Sequence, residues 1–200
     1  MKKLAVLTSE NETIVRAVIE YLRNKNIDII VLSNVLNSKV FDLAKLLNIA
    51  CEYVPAEENG QYFSCKNFDL VAITEYKGEL SADTIESGKF IDIHMSLLPA
   101  FKGKDAIYRA FDAGVKVSGV TVHSITSEID GGKILAQYPV LISNTTHFDE
   151  FRDEMYKVAG ILYPKVIECI LEDKVFDFAD LFKGACSSGC GGCSGDCRNH

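Results

Sequence analysis

The sequence contains no apolar run approaching the roughly 18 residues a membrane-spanning helix needs. It lacks an excess of basic charge: 21 Lys and Arg stand against 28 Asp and Glu, for a formal net charge of −7. That balance argues against a nucleic-acid backbone as the main partner, because such binders carry a basic face. It also lacks a cysteine framework spread through the chain. Cys51, Cys65 and Cys169 are scattered, whereas Cys186, Cys190, Cys193 and Cys197 crowd the C-terminal end. A disulfide scaffold distributes its cysteines and needs an oxidising compartment, so the pattern reads as a reduced, cytoplasmic domain with a thiol-rich tail. No internal repeat is found. Met1–Leu7 opens like a signal peptide, but the apolar stretch stops at Thr8, and Glu10 and Glu12 follow. It reads instead as a first buried strand.

What is present is a globular composition, 48% hydrophobic over 200 residues, enough for one domain with a sizeable core. Strand and helix patterns alternate. Leu4–Leu7, Ile27–Leu32, Leu70–Ile73 and Phe90–Ile93 are short apolar or β-branched runs. Between them Ile14, Val15, Val18, Ile19 and Leu22, then Val40, Leu43, Leu46 and Leu47, recur at helical spacing. Ile107, Ala110 and Phe111 suggest a further helix closed by Gly114. Two strands, Val117–Ile125 and Ile134–Ile142, flank Asp130-Gly131-Gly132. A long helix then carries Phe148, Phe151, Met155, Val158, Leu162, Val166 and Ile170 on one stripe. Such alternation predicts an α/β fold, a Rossmann-like, mostly parallel sheet with helices on both faces, as a single domain over residues 1–183. Residues 184–200, rich in Gly, Ser and Cys, cannot build an apolar core.

Two segments carry chemistry. In Ile91-Asp92-Ile93-His94-Met95-Ser96-Leu97-Leu98-Pro99, a strand ends in a polar cluster, where ligands sit in open α/β sheets. The strand period of two points Asp92 and His94 to the same side. Taken alone, His94 reads as a satisfied polar residue. The second segment runs from Gly119-Val120-Thr121-Val122-His123 to Ile129-Asp130-Gly131-Gly132 and Gln137. Asp-Gly-Gly alone is a turn signature.

Together, in this order, the two segments resemble the glycinamide ribonucleotide formyltransferase family, most strongly from Gly88 to Pro139. A weaker resemblance, in element order and in Tyr163-Pro164, extends from Met1 to Asp173. The resemblance implies an enzyme with a Rossmann-like sheet that binds 10-formyltetrahydrofolate and transfers its formyl group to an amine, as in purine biosynthesis. It implies catalytic roles for His94 and Asp130, with Asp92 at the third catalytic position. It implies a cofactor pocket shaped by Ser96, Leu97 and Leu98 and by the loop from Ile125 through Ile129 to Asp130. The chemistry suits these types. Amine attack on a formamide carbon gives an oxyanion that needs donors. An imidazole donates and moves a proton near neutral pH, and a carboxylate orients it.

Three positions depart from the family pattern. Where the family has a catalytic Asn, this chain has Asp92; an ionised carboxylate cannot donate to an oxyanion. Proximity to Asp130 would hold one carboxyl protonated by like-charge repulsion, and a neutral acid does donate. The Gly-rich phosphate loop is replaced by Ser9-Glu10-Asn11-Glu12-Thr13. Ser9, Asn11 and Thr13 are what remains there to bind substrate, but the glycines that let backbone N–H groups close on a phosphate are gone. Glu12 still suits a first helical turn, and Asn11 or Thr13 can cap it. The acid that holds ribose hydroxyls aligns with Ala159, with Glu154 as a possible substitute. These departures point to an unphosphorylated or cationic acceptor.

In the tail, Cys186, Cys190, Cys193 and Cys197 have the density to surround one Zn²⁺ or hold an iron–sulfur cluster; a flexible thiol tail without metal stays equally open. Two other functions stay open beside formyl transfer: a sensor binding folate or a metabolite on a decayed site, and hydrolysis of formyltetrahydrofolate. Partners are expected to be small molecules, with no nucleic acid and no membrane.

Overall fold

The computed structural model describes residues 1–181; the four tail cysteines lie outside them. Seven strands form one sheet in the order β3-β2-β1-β4-β5-β6-β7: β1 (Lys2–Thr8), β2 (Ile27–Ser33), β3 (Ala50–Tyr53), β4 (Leu70–Thr74), β5 (Phe90–His94), β6 (Val117–Ser124) and β7 (Ile134–Leu141). The first five run parallel, and β6 and β7 are antiparallel to their neighbours. The helices are α1 (Glu12–Leu22), α2 (Lys39–Leu46), α3 (Asn59–Cys65), α4 (Ala82–Glu86), α5 (Ala106–Asp112) and α6 (Phe148–Leu171). No helix among the described residues is long and apolar enough to cross a membrane.

Alternation along β1 explains why its run is continuously apolar. Leu4 and Val6 enter one core with α1, α2 and α6, while Ala5 and Leu7 enter a second with Phe63 of α3. A strand covered on both faces has no polar side to present. The predicted strands and helices are all present, with ends shifted by at most a few residues. β3, α3 and α4 escape prediction because β3 is a four-residue edge strand and the helices are short and largely polar. Asn11, rather than Thr13, caps α1, its side chain accepting from the Ile14 N–H at 3.0 Å.

The chain order reverses between β1 and β4, leaving a crevice outside their carboxyl ends. Tyr163, fully buried on α6, supports this region from below. Its hydroxyl donates to the Ile73 carbonyl at 2.7 Å and lies 3.2 Å from that of Ile91. It thereby bridges β4 and β5 directly beneath Asp92. Tyr163→Phe removes the donor from two buried carbonyls and is expected to cost about 1–3 kcal/mol. Thermal denaturation should show Tm lower by roughly 2–4 °C per kcal/mol for a domain of this size; an unchanged Tm would show that the bridge carries no weight.

Candidate active site

The site is built on the antiparallel junction between β5 and β6. Its register sets Asp92 opposite His123 and His94 opposite Thr121. All four lie on the sheet face away from α1 and α6, since Ile91, Ile93, Val120 and Val122 pack into the core on that side. A register irregularity between Val122 and His123 puts an extra β7 residue, Leu135, against this pair, a bulge that locally re-aims the strand.

The segment after β5 is tied down by β6 and β7. The Thr121 hydroxyl donates to the Ser96 carbonyl at 2.6 Å and accepts from the Leu98 N–H at 3.0 Å. Gln137 Nε2 donates to the Leu98 carbonyl at 2.8 Å and lies 3.0 Å from Thr121 Oγ1. Gly119 makes this closeness possible: a Cβ there would stand 2.1 Å from the Tyr138 carbonyl oxygen and 2.8 Å from Leu97 Cδ2. Gly132, likewise, lies so close to Ser124 that a Cβ would fall 1.7 Å from its carbonyl oxygen. The tight return after β6 therefore needs glycine, and it presents Asp130 in the left-handed region at φ 49°, which Asp tolerates better than most residues.

His94 and Asp130 meet here. His94 is 8% exposed. Its Nε2 lies 3.0 Å from the Phe101 carbonyl oxygen and its Nδ1 3.5 Å from Asp130 Oδ2. The same Oδ2 accepts from the Gly103 N–H at 2.6 Å. Asp92 keeps 24% of its side chain exposed, onto a cleft of about 380 Å³ bordered by Tyr76, Leu80, His123, Ile125, Ile129 and Asp130. Burial, then the negative charge of Asp130, pushes the Asp92 carboxyl up to about 8, with Glu75 adding to the rise and the Ile93 N–H opposing it. His123 is pushed the other way, downward, chiefly by burial. The ligand-type atoms of Asp92, His123 and Asp130 lie within 4.8 Å of one another.

Other predicted site residues fall differently. Ile125, Ile129 and Asp130 border the cleft, whereas Ser96 and Leu98 are buried within the loop and Leu97 packs toward Gly119. Ser9 is fully buried and its groups are spent internally: its hydroxyl donates to Asn34 Oδ1 at 2.7 Å and accepts from the Lys77 N–H at 2.8 Å. Asn11 is buried, with its amide 3.2 Å from Thr74 Oγ1. Thr13 is exposed, and Glu10 pairs with Lys77 at 3.1 Å. Ala159 is fully buried in α6, and Glu154 is occupied with Lys157 at 3.3 Å. Two residues were not singled out from sequence. Glu75, at the end of β4 and hydrogen-bonded by the Tyr156 hydroxyl, gave no signal. His123 stood inside a quoted motif, and only the β5–β6 register shows that it faces Asp92.

The sequence profile of the family described as formyl transferase matches residues 2–167. The chain belongs to the formyl transferase family. This formyl transferase is 33% identical over 187 residues to the phosphoribosylglycinamide formyltransferase of Bacillus subtilis (strain 168), a match covering 86% of this chain and 95% of that protein. It is 42% identical over 80 residues to the formyltetrahydrofolate deformylase of Corynebacterium sp. (strain P-1), covering 38% of this chain and 28% of that protein. Among solved structures, glycinamide ribonucleotide transformylase 1 from Geobacillus kaustophilus matches with a TM-score of 0.79 at 27% identity, over 86% of this chain and 99% of that one.

The raised Asp92 carboxyl has a consequence for stability. Unfolded, the group ionises near its ordinary value of 3.8; folded, it holds its proton to about 8. Between those values the native state binds more protons than the unfolded state, so stability falls as pH rises through that window and levels off above it. Asp92→Asn removes the slope, which is about 1.4 kcal/mol per pH unit at most. Urea denaturation of parent and variant in a chelating buffer should show the variant's advantage growing from pH 4 to pH 8. Parallel profiles would show that Asp92 ionises normally in the fold.

Proposed function

We propose that this formyltransferase moves the formyl group of 10-formyltetrahydrofolate to an unphosphorylated or cationic primary amine, with His94 and Asp130 managing the proton. The observation that carries the reading is the pairing of His94 Nδ1 with Asp130 Oδ2 at 3.5 Å beside the Ile125–Asp130 wall of the cleft. The amine nitrogen attacks the formyl carbon and the carbonyl oxygen becomes an oxyanion. The C–N bond to the folate then breaks, and the amine's proton ends on the departing nitrogen. Asp130 holds His94 Nδ1, and Nε2, which rests on the Phe101 carbonyl, exchanges that carbonyl for the oxyanion in order to donate to it and to pass that proton. Asp92, when neutral, adds a second donor.

The choice of acceptor is supported by what surrounds the crevice. The first turn of α1 is closed by its own Asn11, the Ser9 hydroxyl is spent internally, and Glu10 and Glu12 bring negative charge. Glu75 and Asp130 add carboxylates nearby. Such a surface repels a phosphate and attracts an ammonium group. Hydrolysis is the second reading, favoured by the similarity to formyltetrahydrofolate deformylases; it needs no acceptor pocket.

The test is tetrahydrofolate release from 10-formyltetrahydrofolate, measured alone, with glycinamide ribonucleotide, and with a panel of small amines. Release stimulated by amines lacking phosphate is expected, with His94→Gln and Asp130→Asn each lowering kcat by about 100-fold or more. Stimulation by the ribonucleotide alone would overturn the acceptor, and undiminished release without any amine would establish hydrolysis instead.

A further inference from the structure

His123 is 2% exposed, with its Nδ1 2.9 Å from the Ser124 carbonyl oxygen. A carbonyl only accepts, so Nδ1 carries the hydrogen, and in the neutral ring Nε2 is a bare lone pair. That Nε2 is buried and has no hydrogen-bond partner among the described residues. It is aimed between two carboxylates, 3.8 Å from Asp92 Oδ2 and 3.7 Å from Asp130 Oδ1. Nε2 thus faces two carboxylate oxygens at distances too long for a hydrogen bond, and a buried cluster of this kind is relieved either by a proton on one carboxyl or by a cation at its centre that displaces it.

We propose that Asp92, His123 and Asp130 form a binding site for one divalent first-row transition ion of the Zn²⁺ or Mn²⁺ type. Two carboxylates and one imidazole suit such an ion and balance its charge. Bonds of about 2.0–2.2 Å set neighbouring ligands roughly 3–3.5 Å apart, so His123 Nε2, 3.8 and 3.7 Å from the two carboxylates, needs to close in by a few tenths of an ångström, and the two carboxylates, within 4.8 Å of each other, draw together around the ion. The surrounding groups already hold the ligands as a metal requires. The Ser124 carbonyl fixes the His123 tautomer, the arrangement by which ligating imidazoles are usually oriented. Asp130 Oδ2 is engaged by the Gly103 N–H and faces His94, which leaves Oδ1 turned to His123. Lys102, a cationic side chain near His123, is drawn to Glu128 at 2.9 Å.

Three protein ligands leave coordination positions open toward the cleft, as in sites where a metal polarises a substrate oxygen. The His94 and His123 rings stand 6.5 Å apart, so an oxygen on the ion lies within reach of the His94 region. That role rests on the formyl-transfer reading; binding of the ion does not.

The test uses Mn²⁺, whose preference for oxygen and nitrogen ligands separates this site from the cysteine tail. Full-length chain, stripped with chelator and desalted, is titrated with Mn²⁺ and free ion is followed by electron paramagnetic resonance. One Mn²⁺ per chain is expected. Binding should be at least ~10-fold weaker in Asp92→Asn and in His123→Gln, and retained when Cys186, Cys190, Cys193 and Cys197 are all changed to Ser. No uptake, or uptake unchanged in both variants, overturns the site. Should the variants fail to match the parent's circular dichroism, Mn²⁺-soaked crystals of the parent decide by an anomalous peak between the three side chains, or its absence. Tetrahydrofolate release assayed in parallel keeps the two proposals apart, since ion binding can fail with transfer intact and the reverse.

Discussion

The site depends on the antiparallel pairing of β5 with β6. A parallel neighbour would have required a crossover and placed another strand's carboxyl end here. Instead the chain runs back along β5 and sets His123 across from Asp92 and Thr121 across from His94. One register therefore delivers an acid and two imidazoles to one side of the sheet. It also supplies the hydroxyl that pins the loop after β5. A slip of β6 by one residue would turn His123 and Thr121 into the opposite core, where Val120 and Val122 now pack, and part them from Asp92 and His94.

Much of this was legible in the sequence, because strong periodic signals report burial. The runs Leu4–Leu7, Ile27–Leu32 and Leu70–Ile73 are apolar on both faces since helices cover both faces, and that pattern gave the doubly covered sheet directly. The stripe from Phe148 to Ile170 is the seam of α6 against α1 and the sheet. The polar break at His94 marked where β5 ends at the candidate site. β3, α3 and α4 were invisible for the converse reason: they bury few residues and carry mixed polarity, so neither period stands out.

The site was legible in part. His94 and Asp130 are carried by ordered motifs, and their meeting follows from the fold. His123 needed the register, which no local pattern encodes. Glu75 needed the β4–α6 contact through Tyr156, a pairing between residues far apart in sequence. The altered loop from Ser9 to Thr13 could be read for what it had lost, but not for how completely its remaining polar groups are consumed by Asn34, Lys77, Thr74 and Ile14.

The tie from Gln137 to Thr121 and Leu98 pins the loop after β5, and the candidate groups His94, His123 and Asp130 all lie on the stretch from β5 to β7, a meander whose partners are near neighbours along the chain. The side to which the proposed reaction assigns the acceptor lies instead at the ends of β1 and β4 and at α6, which come together only through long crossovers. The polar groups of Ser9 and Asn11 bond to Asn34, Lys77, Thr74 and Ile14, none of which belongs to the meander, so a change at these positions leaves the meander's own ties in place. A fold divided in this way can exchange its clientele while conserving its chemistry.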